Sequence, residues 1–501
     1  MLVGTASSVG KSVLVTALCR VFAQDGIRVA PFKAQNMSNN ADVTPDGLEI
    51  GRAQSEQAAA AGLAPRVEMN PVLLKPQGDR TSQVVLDGRP AGILQSRDFI
   101  ERKRDLWPHV ERALETLRRE FELVVVEGAG SAAEPNLRAG DIVNMRVARH
   151  AGAVTLLVGD IDRGGVFAHL LGTLELMPPA DRALVRGFVI NRFRGDPSLL
   201  TPAIEELERR TEVPVLGVVP WLDDLRVAQE DAVALERPDL HAAIPASECA
   251  VDIVVVHLPR IANFDDFDRL ADEPGVRLRY VSRPEQLGTP DLIVIPGTKA
   301  TIADLEALRQ SGLADAILER HASGAAILGV CGGYQMLGER IEDPGGVEAA
   351  PGTTVAGLGL LPVATVFTGD KRTVRASGHV ATSSGPWTGA DGVAVEGYEI
   401  HMGRTRASDD DRVTPFLELD GHADGALSRD GSVAGTYLHG LLHNDALRAV
   451  LLARLGRPTD VRGTAFDRER EFDRLAHHVR SHLDLERVRA WLGLRTPVGS
   501  G

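Results

Sequence analysis

The feature that most constrains the fold of this chain is an apolar run that stops abruptly at a cysteine. Residues 327–330 are Ile-Leu-Gly-Val, Cys331 follows, and Gly332 and Gly333 precede a helical pattern. This order predicts a buried strand, a sharp turn and a helix, with Cys331 at the apex and its side chain directed out of the sheet. Glycines beside it let the backbone and a substrate approach closely. We therefore expect an α/β fold that presents this thiol at a strand end.

The position of Cys331 suits a nucleophile. The N–H of Gly332 lies near the start of the predicted helix, where an oxyanion is stabilised and a thiol pKa is lowered. Residues 292–298 predict a second strand that enters a glycine turn, so the N–H of Gly297 is a candidate for another oxyanion donor. A lone cysteine is more often a buried structural residue. The Gly-Gly pair leads us to favour the nucleophile.

A thiolate nucleophile requires a base, which is usually a histidine that is distant in sequence and close in the fold. Residues 433–440 form an apolar run that ends with His439, the preferred candidate. His401, within residues 398–403, is a rival. A histidine at a strand end is often only a satisfied polar group, so the choice of His439 depends on Cys331.

The start of the chain predicts a phosphate-binding loop. A very short apolar strand leads into small residues, then Gly10, Lys11 and Ser12, and then an apolar helical pattern. In such loops backbone N–H groups face the phosphates, the lysine reaches the β- and γ-phosphate oxygens, and the hydroxyl binds Mg²⁺. The strict pattern has glycine where Thr5 stands, so the loop is a variant. The strand and helix around it still favour a nucleotide site.

Two other strand ends carry polar side chains that suit a nucleotide. Residues 28–33 predict a buried strand that ends in Lys33, and residues 185–191 predict one that ends in Asn191. In an open α/β sheet, ligands bind outside the carboxyl ends of the strands. We therefore predict that Lys33 and Asn191 bind ATP, although a polar loop and a helix cap are the alternatives.

Acidic residues at strand ends are candidates for Mg²⁺ ligands. Glu127 ends the apolar run 123–126. Asp160 comes just after a buried strand predicted at residues 153–158. Carboxylates beside a phosphate loop are typical of such metal sites. Residues 44–49 predict a turn into a helix with acid in its first turn, where Asp46 and Glu49 either suit the helix dipole or supply one further Mg²⁺ ligand.

Composition narrows the function. The chain has 501 residues, a net charge of −14, and no dense block of lysine and arginine. These values argue against nucleic acid or an anionic membrane as a partner. The three cysteines, Cys19, Cys249 and Cys331, are too few and too scattered for a disulfide framework. With no apolar run of about 18 residues and no signal-peptide pattern, we expect a cytoplasmic protein.

The chain is too long to fold around a single hydrophobic core, so we expect several domains. Alternating strands and helices predict a parallel doubly wound sheet in residues 1–225. The pattern then decays into Asp, Glu, Pro and Ala, which indicates a linker at 226–249. A second α/β domain follows at 250–445, and a charged helical extension at 446–501. The sequence leaves the oligomeric state open.

Six stretches together resemble the cobyric acid synthase family, glutamine-dependent amidotransferases of adenosylcobalamin synthesis. They are residues 4–12, 32–36, 160–165, 331–335, 397–403 and 437–440, and the resemblance extends over nearly the whole chain. The phosphate loop alone is shared with dethiobiotin synthetase and partitioning ATPases. Residues 33–36 and 160–165 are more discriminating.

The resemblance implies a dethiobiotin-synthetase-like P-loop domain joined to a class I glutamine amidotransferase-like domain. It implies that Cys331 is the nucleophile and His439 its base. The usual glutaminase triad has a glutamate two residues after the histidine, and here that residue is Leu441. What orients His439 therefore stays open at this point.

The resemblance also implies the ligands. Lys11, Ser12 and Glu127 would hold ATP and Mg²⁺, Lys33 would contact phosphate, and the early acid maps to Glu49. The expected reaction amidates the b, d, e and g carboxylates of adenosylcobyrinic acid a,c-diamide through acyl phosphates and glutamine-derived ammonia. L-Glutamine, ATP and the corrinoid are the expected partners, and no permanently bound cofactor is expected.

Three alternatives remain from the sequence. The cobyrinic acid a,c-diamide synthase performs the same chemistry on an earlier substrate. A partitioning-type P-loop ATPase would give Cys331 no role, and its loop carries a lysine where Ala6 stands. A binding module with a decayed glutaminase domain would hydrolyse no glutamine.

Overall fold

The structure is a computed structural model that describes residues 1–78, 80–95, 99–223, 225, 250–408, 412–456 and 467–494. The expected linker at 226–249, which includes Cys249, lies outside these residues. None of the helices in the described ranges combines the length and the apolar character that a membrane crossing requires.

The first unit contains a doubly wound sheet. Its elements are β1 (Leu2–Gly4), α1 (Lys11–Gln24), β2 (Val29–Phe32), β3 (Gln35–Met37), β4 (Ala41–Val43), β5 (Glu49–Gly51), α2 (Arg52–Ala60), β6 (Val72–Gly78), β7 (Thr81–Leu86), β8 (Arg89–Gln95), α3 (Phe99–Glu120), β9 (Leu123–Ser131), α4 (Met145–Ala151), β10 (Thr155–Asp160), α5 (Val166–Leu176), α6 (Pro179–Arg182), β11 (Val185–Phe193), α7 (Thr201–Thr211) and β12 (Val215–Pro220). The strand order is β12-β11-β10-β1-β9-β2, and all neighbours are parallel. Helices cover both faces, which explains why β2 and β10 are buried along their whole length. The predicted parallel sheet is confirmed.

The region between β2 and α3 differs from the prediction. Residues 44–49 do not enter a helix, because β4 and β5 pair as an antiparallel hairpin closed by the Thr44 N–H, which donates to the Leu48 carbonyl at 2.8 Å. Gly47, with φ of 73°, allows that turn. The helix prediction was wrong, and Glu49 lies in a strand. A separate sheet, β3-β6-β7-β8, also forms here.

The second unit contains the other parallel sheet. Its elements are β13 (Val251–Val256), α8 (Asp268–Ala271), β14 (Val276–Val281), β15 (Leu292–Ile295), α9 (Thr301–Gln310), α10 (Leu313–Ala322), β16 (Ala326–Val330), α11 (Gly332–Leu337), β17 (Arg340–Asp343), β18 (Thr353–Ala356), β19 (Val363–Val380), β20 (Ala394–Ala407), β21 (Val413–Thr414), β22 (Leu417–Leu419), β23 (His422–Asp424), β24 (Ala426–Ser428), β25 (Val433–Thr436) and α12 (Asp445–Leu455). The sheet runs β14-β13-β15-β16-β25-β24-β21, and it is parallel from β14 to β25. The ends of β15, β16 and β25 therefore meet at one edge.

The C-terminal segment divides between the two units. Helix α12 buries Leu447 and Leu451 in the core of the second unit, so the second unit extends beyond the expected boundary at residue 445. The helices α13 (Arg468–His482) and α14 (Leu485–Leu492) pack instead on α1, where Phe472 and Val479 share a core with Phe22. The last helices thus complete the first unit.

The two units share an apolar interface. Tyr398 and Ile400 of β20 pack with Ala41, Val43, Leu73 and Val85 of the first unit. Asn263 accepts the Ala41 N–H at 2.9 Å, and Arg375 donates to the Val43 carbonyl at 2.9 Å. Strand β20 also lines the site described next, so the interface adjoins that site.

Candidate active sites

Cys331 occupies a strained turn between β16 and α11. Its backbone has φ of 53° and ψ of −110°, an arrangement that a residue with a side chain rarely adopts. The turn packs directly on β15, because a Cβ added at Gly333 would lie 1.9 Å from the Ile295 carbonyl oxygen. Only glycine fits at that position. The structure therefore has the strand, turn and helix that the sequence predicts.

His439 lies next to Cys331 and is held by an aspartate that the sequence reasoning missed. The imidazole hydrogen-bonds to the Cys331 side chain, and its Nδ1 lies 2.7 Å from Asp266 Oδ2. The other Asp266 oxygen accepts the Gly440 N–H at 2.8 Å. Asp266 belongs to a short 3₁₀ turn, Phe264–Phe267, far from His439 in sequence. Its only sequence signal is a pair of adjacent acids after β13.

The surroundings of His439 favour its charged form. Burial alone would lower the pKa of His439, but the Asp266 carboxylate and then Cys331 raise it to about 10. An imidazolium next to the sulfur stabilises a thiolate, which is the reactive form of cysteine. Asp266 thus fills the place of the glutamate that the sequence lacks at Leu441.

The two expected oxyanion donors lie at the same point. A Cβ added at Gly297 would be 3.1 Å from His439 Cε1 and 3.7 Å from Cys331 Cβ. Gly332 begins α11, directly after the nucleophile. The structure therefore brings Cys331, His439, Gly297 and Gly332 together, as the chemistry of amide hydrolysis requires.

The rival histidine, His401, has a different environment. Its ring stacks on Tyr437 at 3.7 Å, and its Nδ1 lies 3.1 Å from the Gly403 carbonyl. Burial lowers the pKa of His401 to about 4, so it is neutral near pH 7. Because it lacks the aspartate contact that His439 has, we prefer His439 as the base.

A pocket opens beside Cys331. Its walls are formed by Lys75, Ala262, Asn263, Gly297, Thr298, Lys299, Thr301, Cys331, Gly332, Gln335, Glu348, Lys371, Ile400, His401, Met402 and His439. Lys75 lies in β6 of the first unit, so both units contribute to the pocket. One wall carries charges of both signs, Lys299 and Glu348.

The Glu348 carboxylate has a defined position in this wall. It accepts the Ile302 N–H at 3.3 Å. It also lies 3.4 Å from the Thr301 hydroxyl, whose single proton it shares with Gln335 Oε1 at 3.0 Å. Burial raises the pKa of Glu348 to about 7, and nearby Lys299 opposes that rise. The pocket thus presents an anion and a cation near the thiol.

The phosphate loop lies at the edge of the first sheet. Lys11 Nζ donates to the carbonyl oxygens of Ala6 at 3.0 Å and Gly130 at 3.1 Å, so it is held over the loop. Ser12 Oγ donates to Glu127 Oε1 at 2.8 Å, and Lys33 Nζ is 2.8 Å from the same oxygen. Four residues predicted from separate stretches therefore converge.

Asn191 contacts the loop, and Asp160, another predicted metal ligand, forms an ion pair. The Asn191 amide donates to the Val9 carbonyl at 2.9 Å, and a Cβ at Gly10 would lie 2.2 Å from its Nδ2. Asp160 is paired with Arg192 at 2.9 Å, so its charge is already compensated. The role of Asp160 as a metal ligand stays a prediction.

Glu49, another predicted metal ligand, lies at the interface of the two units. Its carboxylate is buried between Lys75, at 2.7 Å, and Lys371 of the second unit. Burial opposes ionisation, but Lys371 and then Lys75 lower the pKa of Glu49 to about 2. Both Glu49 oxygens are paired with lysines that line the Cys331 pocket, so Glu49 lies at the interface of the two units, and its role as a metal ligand stays a prediction. Asp46 is exposed in the same hairpin.

Ser12 and Glu127 form a donor set that fits Mg²⁺. This ion prefers oxygen ligands and is usually held by one or two carboxylates together with substrate phosphates and water. Within the described ranges, no cluster of three acidic, histidine or cysteine side chains forms a cage for a metal by itself. A metal at this loop would therefore depend on nucleotide phosphates.

Comparison with known proteins matches each unit to a family of domains. Residues 1–234 match the CobQ/CobB/MinD/ParA nucleotide binding domain, and residues 252–447 match the CobB/CobQ-like glutamine amidotransferase domain. A cobyric acid synthase of Roseiflexus castenholzii is similar, at 53% identity over 98% of this chain and 98% of that protein. Those of Pelotomaculum thermopropionicum (51% identity; 99% and 97%) and Chloroflexus aurantiacus (52%; 96% and 96%) are also similar. These matches count against a partitioning-type ATPase.

Proposed function

The chain belongs to the cobyric acid synthase family of glutamine-dependent amidotransferases, and on that premise we propose that it amidates the b, d, e and g carboxylates of adenosylcobyrinic acid a,c-diamide. The observation that carries the proposal is the Cys331–His439–Asp266 arrangement in a pocket to which the nucleotide-binding unit contributes Lys75. One chain thus has the parts to release ammonia and to activate an acid.

Glutamine hydrolysis follows from the geometry at Cys331. The thiolate attacks the side-chain amide carbon of glutamine, and the oxyanion is stabilised by the N–H groups of Gly332 and Gly297. Each donor of this type contributes about 3–4 kcal/mol to the transition state. His439 gives its proton to the departing ammonia, and water then hydrolyses the thioester. Asp266 orients the imidazole throughout.

Activation of the acid follows from the geometry at the phosphate loop. The γ-phosphoryl group of ATP passes to a substrate carboxylate, which gives ADP and an acyl phosphate. Ammonia then attacks the acyl carbon, the bond to phosphate breaks, and the amide forms with release of inorganic phosphate and a proton. Such transfers depend mainly on positioning and electrostatic stabilisation. Lys11 and Lys33 supply positive charge, and Ser12 and Glu127 would hold Mg²⁺, which neutralises charge on the phosphates when bound.

The decisive experiment supplies the purified protein with ATP, Mg²⁺, L-glutamine and adenosylcobyrinic acid a,c-diamide. We expect products in which up to four carboxylates have become amides, followed by mass spectrometry over time. Parallel reactions use cobyrinic acid, the substrate of the a,c-diamide synthase. Amidation of cobyrinic acid but not of the a,c-diamide would contradict the proposal.

Replacement of Asp266 by asparagine should impair glutamine hydrolysis. The amide removes the charge that raises the pKa of His439, so we expect kcat for glutamate release to fall about 10²-fold. The protonated imidazole is lost as pH rises through its pKa, which is about 10 in the native chain. The basic limb of the pH–rate profile should therefore move to lower pH.

The matched control for this change is Asp268→Asn at the start of helix α8, two residues further along the chain. Burial raises the pKa of Asp268 well above its usual value, which disfavours the charged form, so the neutral amide is a mild change at this position. Glutamate release should stay within about twofold of the native rate. A native pH profile for the Asp266 variant would remove Asp266 from the mechanism.

We propose that Glu348 binds the α-ammonium group of glutamine. Glu348→Gln should raise KM for glutamine about 10- to 100-fold, the range expected for one hydrogen bond to a charged group. In the native chain KM should rise as pH falls below about 7, because Glu348 then becomes protonated. Steady-state kinetics should show no such rise in the variant. Exposed Glu339→Gln is the control, and an unchanged KM in the Glu348 variant would contradict the assignment.

A further inference from the structure

Helix α2 contacts both candidate sites. Near its start, Arg52 Nε lies 2.9 Å from Asp265 Oδ2 in the second unit. Further along, Gln57 Nε2 donates to Glu127 Oε2 at 2.6 Å at the phosphate loop. Five residues of helix span about 7.5 Å. About one and a half turns of helix therefore separate the contact with Asp265, the neighbour of Asp266, from the contact with Glu127, the candidate metal ligand.

The contact between Arg52 and Asp265 is buried. The side chains are 14% and 3% exposed. The contact is an ion pair without hydrogen-bond geometry, because neither Asp265 oxygen accepts a hydrogen bond within the described part of the chain. Burial raises the pKa of Asp265, and the Arg52 guanidinium opposes that rise. A buried carboxylate without a hydrogen bond depends on such a cation. Arg52 is thus the charge that allows Asp265 to stay in this turn as an anion.

The turn that contains Asp265 also positions the catalytic base. Asp266, the next residue, holds His439 Nδ1 at 2.7 Å, and the Asp265 carbonyl lies 2.8 Å from His443 Nε2. A shift of the turn would therefore move the partner of His439. Arg52 acts on the base only through this turn, so it is a positioning residue of the second site supplied by the first unit.

The other end of α2 depends on the state of the phosphate loop. Glu127 accepts hydrogen bonds from Gln57 and Ser12 and pairs with Lys33. A nucleotide bound with Mg²⁺ would compete for Ser12 and Glu127, which changes the acceptor available to Gln57. Coupling between sites requires a contact that differs between two states, and this contact would differ.

We propose that helix α2 couples the two sites: Arg52 positions the Asp265–Asp266 turn for glutamine hydrolysis, and Gln57 makes that hydrolysis responsive to nucleotide at Glu127. This inference rests on the proposed glutaminase function. Glutamine hydrolysis would then be fastest when the acid-activating site is occupied, so ammonia would be released where it can be used.

The test compares Arg52→Gln with the control Arg375→Gln. Arg375 also crosses the interface, to the Val43 carbonyl at 2.9 Å and to Asp42 at 3.8 Å, but it does not contact Asp265. Three quantities are measured: glutamine-dependent amidation, ammonia-dependent amidation, and the rate at which iodoacetamide alkylates Cys331, read by mass spectrometry of its peptide. Glutaminase and alkylation assays are run with and without AMP-PNP and Mg²⁺.

For Arg52→Gln we expect glutamine-dependent kcat to fall at least about tenfold, with ammonia-dependent amidation within about twofold of native. AMP-PNP should change the native glutaminase and alkylation rates about 5-fold or more and leave those of the variant unchanged. Arg375→Gln should respond like the native chain. If Arg52→Gln fails to fold, Arg52→Lys should show the same pattern in weaker form, since it keeps the charge.

Several outcomes would overturn the inference. They are equal loss of glutamine- and ammonia-dependent activity in Arg52→Gln, native glutamine use by that variant, or a native chain whose glutaminase and alkylation rates ignore AMP-PNP. Failure of the proposed function itself would look different, because the native chain would then release no glutamate at all.

Discussion

Replacing Cys331 by serine is expected to abolish glutamine-dependent amidation while ammonia-dependent amidation continues. The hydroxyl is a far weaker nucleophile than the thiolate. In the native chain the turn places the Cys331 sulfur in hydrogen-bond contact with His439. We expect kcat/KM for glutamate release to fall at least about 10³-fold. The phosphate loop lies in the other unit and is unaffected. Corrinoid mass spectra with glutamine or with ammonium chloride as nitrogen source measure both activities.

The matched control is Cys19→Ala, which removes a cysteine buried in α1 of the first unit. Burial raises the pKa of Cys19, so its thiol is unreactive and its loss should leave glutamine use intact. Retained glutamine use in Cys331→Ser would remove Cys331 from the mechanism. Loss of the ammonia-dependent reaction as well would mean that the substitution disturbs the whole fold.

Replacing Lys11 by alanine is expected to stop amidation with either nitrogen source. Lys11 is held over the phosphate loop by two carbonyl oxygens, from which it can reach the β- and γ-phosphates. Without this charge the γ-phosphoryl transfer loses stabilisation, and we expect kcat for amidation to fall at least about 10²-fold. Release of phosphate from ATP, measured with the corrinoid present, should fall in parallel.

Glutamine hydrolysis in the absence of ATP is the internal control for Lys11→Ala. The Cys331 pocket contains no residue of the phosphate loop, so glutamate release without nucleotide should remain close to native. Ammonia-driven amidation at the native rate in this variant would show that the loop does not activate the acid. The two variants together assign each half-reaction to one unit.

Local sequence was sufficient to predict those parts of the two sites that lie within a single turn or loop. Residues 326–337 form a strand, turn and helix because an apolar run meets two glycines, and this order places Cys331 at the turn. The same holds for the loop that ends with Lys11 and Ser12. Parallel pairing then brings Glu127 and Lys33 to the same sheet edge, as the alternation of strands and helices predicted.

Contacts across long sequence separations were not predictable in this way. Asp266 reaches His439 only because the loop after β13 lies beside the end of β25 across the sheet, and no spacing rule links the two residues. Glu49 was expected at a metal site, but the hairpin β4–β5 directs it to two lysines at the interface. Both results depend on how the two units pack.

The sequence by itself determined the two chemical elements of this protein, a thiol at a sharp turn and a phosphate loop, because each is encoded within about a dozen consecutive residues. Only the tertiary structure decided which acid orients His439, which cations pair with Glu49, Asp160 and Glu127, and that helix α2 contacts both sites. Those choices depend on burial and charge pairing between distant segments, whose energies no local pattern records.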